Sequence, residues 1–531
     1  MMSTMTFGWL AALITILMSV RTVQSQPAQV WNDQAYDTLK KAILREETLN
    51  TNTAKNVVFF VGSGMGLTTV VASRILRGQL DGMKGEETIL AWENFSTMGM
   101  AKTYTTDRQV ADGAGAATAL FCGVKTKSGL VGVDDSAMLG DCKTGQAAAV
   151  DSVMISAEKA GKSTGFVTTA RVTHATPSAL YAHSPDRDWE NDADIPQKEA
   201  AMGCTDIASQ LITLGKNTKV ILGGGRANMM PNTAADPEYP NQKGTRQDGR
   251  NLIDEWVSGK DPTTSEYVWK AEQFNAVDPK TTDYILGLFE PSHMQYSENG
   301  NNDGAGEPSI AQMVEKAIKI LQKDGDGYFL MVEGGRIDHS HHDNNAYHAL
   351  HDTVAMNEAV AKAIELTNEN DTLVIVTADH SHTLSISGYP WRGNPILAKG
   401  FASGRLLMDD GLPYTTLAYA GGPGGIKERQ SFEDTGMRRN LTNTDTEQPD
   451  FVQPALIPLA TGSHGGEDVA IYANGPMSHL FHGVHEQNYI AHVVRYAARL
   501  GGNECGGNGA PSSGGFDLLL TLAGVMLCVA L

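Results

Sequence analysis

The residues that could do chemistry lie in four short stretches. Glu333-Gly334-Gly335-Arg336-Ile337-Asp338-His339-Ser340-His341-His342 is the densest. Asp338 and His342 are four apart, so on a helix they share one face. A carboxylate and an imidazole presented together suit zinc. Thr377-Ala378-Asp379-His380-Ser381-His382, Gly462-Ser463-His464-Gly465-Gly466-Glu467-Asp468 and Thr173-His174-Ala175-Thr176 add further donors. One isolated Asp/His pair would read more simply as a solvated helix start. Much of the chain's complement of 15 histidines falls in these stretches, and the repetition implies a multi-metal site. Two metals about 3.5–4 Å apart can hold the attacking and leaving oxygens of a displacement at phosphorus. A magnesium ion would take oxygen ligands such as Glu333 and Thr176. A guanidinium would clamp the non-bridging phosphate oxygens.

Such donors need a rigid frame, and the pattern around them supplies one. Apolar strands are predicted at Asn56–Val61, Ser163–Thr168, Lys219–Leu222, Tyr328–Val332 and Thr372–Thr377. Helical patterns lie at Leu67–Leu76, Ile310–Leu321 and Tyr347–Leu366. Alternating strands and helices predict an α/β fold with a mostly parallel central sheet and helices on both faces. Ligands of such sheets sit at the carboxyl ends of the strands, so every candidate site is expected just past a strand. Residues 391–462, rich in Gly, Pro, Thr and charge, read as an inserted subdomain with a strand near Tyr414–Tyr419. The Gly62-Ser63-Gly64-Met65-Gly66 turn lacks the Gly-x-Gly-x-x-Gly spacing of a dinucleotide site.

The two ends read as targeting signals. Leu10–Val20 is an apolar run of signal-peptide length, with cleavage expected near residue 25. Leu518–Leu531 is an uncharged tail behind small residues, the pattern of a GPI signal, with Asn508 the expected attachment residue and Ser512 and Ser513 close rivals. Both imply the extracellular side of the plasma membrane. Of the 5 cysteines, Cys528 leaves with the tail. Cys142 and Cys204 are the expected disulfide, although cysteine spacing alone leaves other pairings open. Asn94, Asn370 and Asn440 begin glycosylation sequons. The formal charge of −20 argues against nucleic acid as a partner.

The segments Val332–His339, Thr377–His382 and His464–Asp468 resemble the alkaline phosphatases of animal cell surfaces. So do Cys122-Gly123-Val124-Lys125, Leu222-Gly223-Gly224-Gly225-Arg226 and Leu288-Phe289-Glu290-Pro291. The likeness runs in order from about residue 31 to 500. It implies a first zinc on Asp338, His342 and His464, and a second on Asp379 and His380. It implies magnesium on Glu333 and Thr176 with His174 close by. Arg187 takes the place of a phosphate-binding arginine. Glu238, the Phe289 carbonyl, Glu290 and Glu307 match a calcium site. The resemblance also implies a homodimer, with an N-terminal arm embracing the partner and Tyr389 reaching towards its site. The implied organisation is a signal peptide (1–25), an arm (26–55), a core (56–390 and 463–500), a crown (391–462), a stalk (501–508) and a removed signal (509–531).

Two positions depart from the family pattern. Ser63 stands where the family has an aspartate bridging the second zinc and magnesium. Gly113, in Val110-Ala111-Asp112-Gly113-Ala114, stands where the family has its nucleophilic serine. Glycine carries no nucleophile, and a hydroxyl balances two cations poorly. In addition, Arg499 occupies the place of a frequent family cysteine, which leaves Cys505 unpaired. The expected function is therefore a zinc-binding cell-surface pseudoenzyme that takes up phosphate monoesters with impaired or no hydrolysis. The rival reading is an active phosphomonoesterase working with a metal-bound water. A third is a set of purely structural metals, against which Arg187 and the intact first trio argue.

Overall fold

The strand β1 (Asn56–Gly62), of sequence NVVFFVG, is buried from Val57 onward. A strand covered by helices on both faces must be continuously apolar, and this one is. β4 (Val220–Gly224), β7 (Tyr328–Gly334) and β8 (Thr372–Thr377) are buried throughout, and β3 (Ser163–Arg171), richer in threonine, is buried up to Ala170. The structure is a computed structural model that describes Lys40 and residues 49–299, 304–400 and 408–501. The expected signal peptide, the expected GPI attachment residue Asn508, Cys505, Cys528, most of the expected arm and residues 401–407 of the expected crown lie outside the described residues.

The central sheet has ten strands in the order β15-β2-β14-β8-β1-β7-β3-β4-β6-β5, where β2 is Thr97–Lys102, β5 Ser265–Val268, β6 Tyr284–Leu288, β14 Val469–Asn474 and β15 Gly483–Glu486. From β8 to β5 all neighbours are parallel. Only β14 runs antiparallel, against both β8 and β2. The fold is thus the mostly parallel α/β sheet that the alternating pattern predicts. Register sets the site: Val61 lies opposite both Glu333 and Thr377, and Thr168 opposite Glu333. Three strand ends therefore deliver their following turns to one place.

Helices fix the rest. After β1 comes α1 (Leu67–Leu80), and after an irregular stretch following β2 comes α2 (Gly113–Cys122), buried along its whole length. The helix α3 (Ile310–Leu321) starts in a capping box, Ser309 with Gln312, and buries Ile310, Met313, Val314, Ala317, Ile318 and Leu321. The short α4 (Arg336–His342) follows β7 and leads to α5 (Ala346–Leu366), capped by Asn345. A separate three-stranded sheet joins β10 (Leu384–Ile386), β11 (Leu417–Gly422) and β12 (Ala455–Pro458). Its apolar residues Leu384, Leu417, Tyr419 and Ala455 pack on Leu76 and Leu350 of α1 and α5. The strand predicted at Tyr414–Tyr419 forms three residues later. Cys142 and Cys204 form a disulfide, and Cys122 is a buried free thiol. Among the described residues no helix is long and apolar enough to cross a membrane.

Candidate metal centre

Asp338 and His342 stand one turn apart on α4, as their spacing predicts. His342 Nε2 lies 3.4 Å from Asp338 Oδ2. His464 comes from 122 residues further along the chain, and its Nε2 lies 3.1 Å from His342 Nε2 and 3.5 Å from Asp338 Oδ1. The device that places it is a two-residue antiparallel pair, β9 (Ser381–His382) with β13 (His464–Gly465), in which His464 faces His382. That pairing also brings in a donor that sequence reasoning did not assign. His382 Nε2 lies 2.5 Å from Asp338 Oδ1. One donor atom from each of Asp338, His342, His382 and His464 falls within 4.8 Å of the others. The alternation His380-Ser381-His382 was the available signal, because period two puts both rings on one side of a strand.

Asp379 and His380 follow β8 directly and are fully buried. Asp379 accepts hydrogen bonds from the backbone N–H of Gly64 at 3.0 Å and of His380 at 2.9 Å. Ser63, in the turn after β1, donates its hydroxyl to Asp379 Oδ2 at 3.1 Å. His380 Nε2 lies 3.2 Å from Asp379 Oδ2, and its ring stacks on His464 with centroids 3.5 Å apart. The two groups of donors are therefore contiguous.

A third group sits behind Asp379. Glu333 is the penultimate residue of β7, with Oε2 accepting from the Thr168 hydroxyl. Glu333 Oε1 and Thr176 Oγ1 are buried and find no hydrogen-bond partner. Orphaned buried oxygens are rare, and a pair of them fits an oxygen-ligated cation such as magnesium. His174 joins this side. Its Nδ1 is likewise unpartnered, and its Nε2 is 3.2 Å from Arg187 Nη2. Its ring also meets His293 and His339, a half-buried imidazole cluster that sequence reasoning missed.

Arg187 and Gly113 do not follow a strand as expected. Arg187 lies in a loop well past β3, and Gly113 is the first residue of α2. Asp112 caps that helix, accepting from Ala114 and Gly115 N–H at 3.2 and 3.1 Å. The same carboxylate takes Arg187 Nη1 at 3.1 Å. Burial pushes the Asp112 carboxyl up, but Arg187 and the backbone donors outweigh it and hold it below the usual range. The direction in which Gly113 faces follows from its backbone. A Cβ there would stand 3.5 Å from Asp379 Oδ2 and 3.8 Å from Arg187 Nη1, ordinary contact distances. Ser63 and Gly113 thus flank the same oxygen, Asp379 Oδ2.

Burial without enough positive charge shows in these carboxylates. Burial, then the negative charge of Asp338, pushes Asp379 up to about 6. Burial pushes Glu333 up to about 7. Asp338 is buried too, but His382, His342 and His464 overcome that and hold it well below the usual range.

The residues expected to hold calcium also come together. Gln295 donates its side chain to Glu290 at 2.8 Å and its backbone N–H to Glu307 at 3.0 Å. Tyr239 donates to Glu290 at 3.1 Å, and its neighbour Glu238 accepts from Arg226 at 2.9 Å. Phe289, which precedes Glu290, is buried.

A parallel α/β sheet with His/Asp donors gathered at its strand ends is a metal-centred hydrolase frame, and comparison with known proteins gives the family. The family model "Alkaline phosphatase" matches residues 54–500. The chain belongs to the alkaline phosphatase family. It is 47% identical over 503 residues to the tissue-nonspecific isozyme of Felis catus, covering 93% of each chain. It is 47% identical over 489 residues to that of Homo sapiens, covering 91% of this chain and 90% of the other. Among solved structures, alkaline phosphatase from Thermus thermophilus superposes with a TM-score of 0.60 at 22% identity, over 85% of this chain and 93% of that one. The enzyme of the Antarctic bacterium TAB5 gives 0.57 at 21%, over 85% and 100%. At these identities the two structures bear on the fold.

Proposed function

We propose that this chain is a metal-dependent binder of phosphate monoesters whose covalent hydrolytic step is impaired or lost. One observation carries the reading: the Gly113 backbone aims an absent side chain between Asp379 Oδ2 and Arg187 Nη1. A Cβ would fit there at ordinary contact distances, so the backbone has room for a side chain and the position lacks a hydroxyl. Arg187, held by Asp112, is placed to clamp phosphate oxygens. Zinc suits Asp338, His342 and His464, with a second zinc at Asp379 and His380. Magnesium suits Glu333 and Thr176 beside His174. Bound zinc supplies electrostatic stabilisation of phosphate oxygens. Glu238, the Phe289 carbonyl, Glu290 and Glu307 are the calcium candidates. The chain acts as a homodimer at the cell surface, GPI-anchored through Asn508, with glycans on the exposed Asn94, Asn370 and Asn440.

The test is turnover of a simple aryl phosphate by purified, zinc-loaded protein. Binding of inorganic phosphate is measured alongside by calorimetry. We expect phosphate binding with little turnover and no trapped phosphoserine. Robust, chelator-sensitive turnover would overturn the reading. A second reading rests on Arg187 and on the Asp338, His342 and His464 donors, all of which are present. It is hydrolysis without a covalent intermediate, and its mark is slow turnover with no phosphoenzyme.

A further inference from the structure

We infer that Met138 and Leu139 form an apolar lip beside Arg187, and that the ligand it fits is a phosphate monoester whose alcohol portion is an apolar chain. The inference rests on reading Arg187 as the phosphate clamp, and it names the class of ester.

Exposure on a fixed backbone is the first argument. Met138 and Leu139 are consecutive and stand 61% and 60% exposed. Single exposed apolar residues are ordinary, so the pair counts because of where it is held. Its loop is tied down before and after it. The N–H of Asp134 donates to the Ala148 carbonyl at 2.8 Å, that of Met138 to Thr144 Oγ1 at 3.0 Å and that of Gly140 to the Pro185 carbonyl at 3.0 Å. Ala137 is fully buried and clusters with Leu130, Val133 and Ala148. The Cys142–Cys204 disulfide follows directly. The two side chains are therefore held out to solvent by an anchored loop.

Position is the second argument. Gly129 has φ +84, which favours glycine. A Cβ there would stand 2.8 Å from Leu139 Cδ1, so Leu139 takes the space that a side chain at 129 would fill. Gly129 is in turn bound to the clamp. Its N–H donates to Asp112 Oδ2 at 3.1 Å, the same oxygen that takes Arg187 Nη1 at 3.1 Å. Its carbonyl accepts the Arg187 N–H at 2.9 Å. One glycine thus separates the Leu139 methyl from the group that would hold phosphate.

The chemistry of the loop is the third argument. Its polar side chains are engaged with one another, Lys127 with Asp135 at 3.2 Å and Ser136 with Asp134 at 2.5 Å. What the loop offers a bound ester is a thioether and a branched alkyl group, which gain by covering methylenes. Small-molecule sites join a few placed polar groups to apolar walls. Here Arg187 is the polar group and the lip is the wall.

The test uses alkylphosphonates, whose carbon–phosphorus bond is not open to ester hydrolysis, and calorimetry on the full-length protein loaded with zinc and magnesium. Each methylene laid on a half-open lip should raise affinity about twofold, against about fourfold for full burial. Hexylphosphonate should then bind about 30-fold more tightly than methylphosphonate. In Met138→Ser/Leu139→Ser that ratio should fall to about threefold or less. Val110→Ser changes the exposed apolar residue on the His464 side, beside Gly466, and should keep the ratio of the unmodified protein. A flat series in the unmodified protein would overturn the inference and give the pair to another occupant, a lipid surface or a second protein. So would a ratio that Met138→Ser/Leu139→Ser keeps in full, or one that only Val110→Ser loses. Inorganic phosphate separates these failures from a failure of the proposed function. Phosphate binding with a flat alkyl series strikes the lip alone, whereas absent phosphate binding strikes the clamp and the lip together.

Discussion

Asp338 and Asp379 are two buried carboxylates past the ends of β7 and β8, on either side of β1, and their surroundings differ. Asp338 sits among three imidazoles, which hold it well below the ordinary range. Asp379 has one imidazole and the hydroxyl of Ser63, and it rises to about 6. Burial is common to both, so burial does not explain the contrast. What differs is the supply of positive partners and of further ligands. Ser63 and Gly113 both fall on the poorer side, flanking one oxygen of Asp379.

The sharpest way to break this contrast is to repair the poorer side. Gly113→Ser with Ser63→Asp should raise turnover of an aryl phosphate about 10³-fold or more over the parent. Each single change should give far less than its share, because both act on one step. Four rate constants in a double-mutant cycle check this, and simple multiplication of the single gains would refute it. Next in size is the richer side. Asp338→Asn should lower affinity for the most tightly held zinc at least 100-fold in chelator competition. Asp379→Asn should change that same affinity less than about tenfold. Equal losses would mean that the two groups are a single unit.

Asp352 on α5 tests whether missing partners, rather than zinc chemistry, raise buried carboxylates. It accepts from Ser297 and is pushed by burial up to about 7. Its folded pKa lies above the unfolded one, so its contribution is fully present below pH 4 and is lost as pH rises through 7. Asp352→Asn should therefore be more stable than the parent at pH 8, by about 2–4 kcal/mol, and equal to it at pH 4. Thermal melts of both proteins across that window read the difference, and a difference that does not change with pH would discard the explanation. The smallest effect is expected at the hinge between the two sides. Asp112→Ala removes the α2 cap and a hold on Arg187, costing about 1 kcal/mol of stability. Calorimetry should show phosphate affinity falling a few-fold. Unchanged phosphate binding would mean that Arg187 orients itself.

Local pattern carried much of the fold. Ile310–Leu321 forms as a helix over the residues its periodicity and Ser309 cap mark out. The strand Thr372–Thr377 also keeps its predicted limits, because Asp379 and His380 interrupt the apolar run. Runs ending in Gly or small residues were harder to delimit. β3 continues three residues beyond Thr168, and β11 starts at Leu417, where its pairing partners begin rather than where the residues turn apolar. The part of the site that sequence left unread depends on pairing across long separations. The β9–β13 pair is two residues long, and no propensity marks so short a strand. Without it, His382 looks like a bystander in the Asp379 motif. The direction faced by Gly113 was also illegible, since a residue with no side chain points nowhere until its backbone is placed.

His464 touches both halves of the centre. One ring nitrogen faces the metal donors, and the other meets the carbonyl of Ala111, one residue before the Asp112 cap that holds Arg187. A metal on Nε2 leaves the proton on Nδ1, which then donates to Ala111. Loading the cluster therefore steadies the turn that presents the arginine, and an anion on that arginine steadies the turn that supports the ligand. Linkage makes the exchange symmetrical: the factor by which metal raises phosphate affinity is the factor by which phosphate raises metal affinity. Surroundings rich in phosphate would then slow the escape of a metal held at this cluster, and the anion would serve as its guardian.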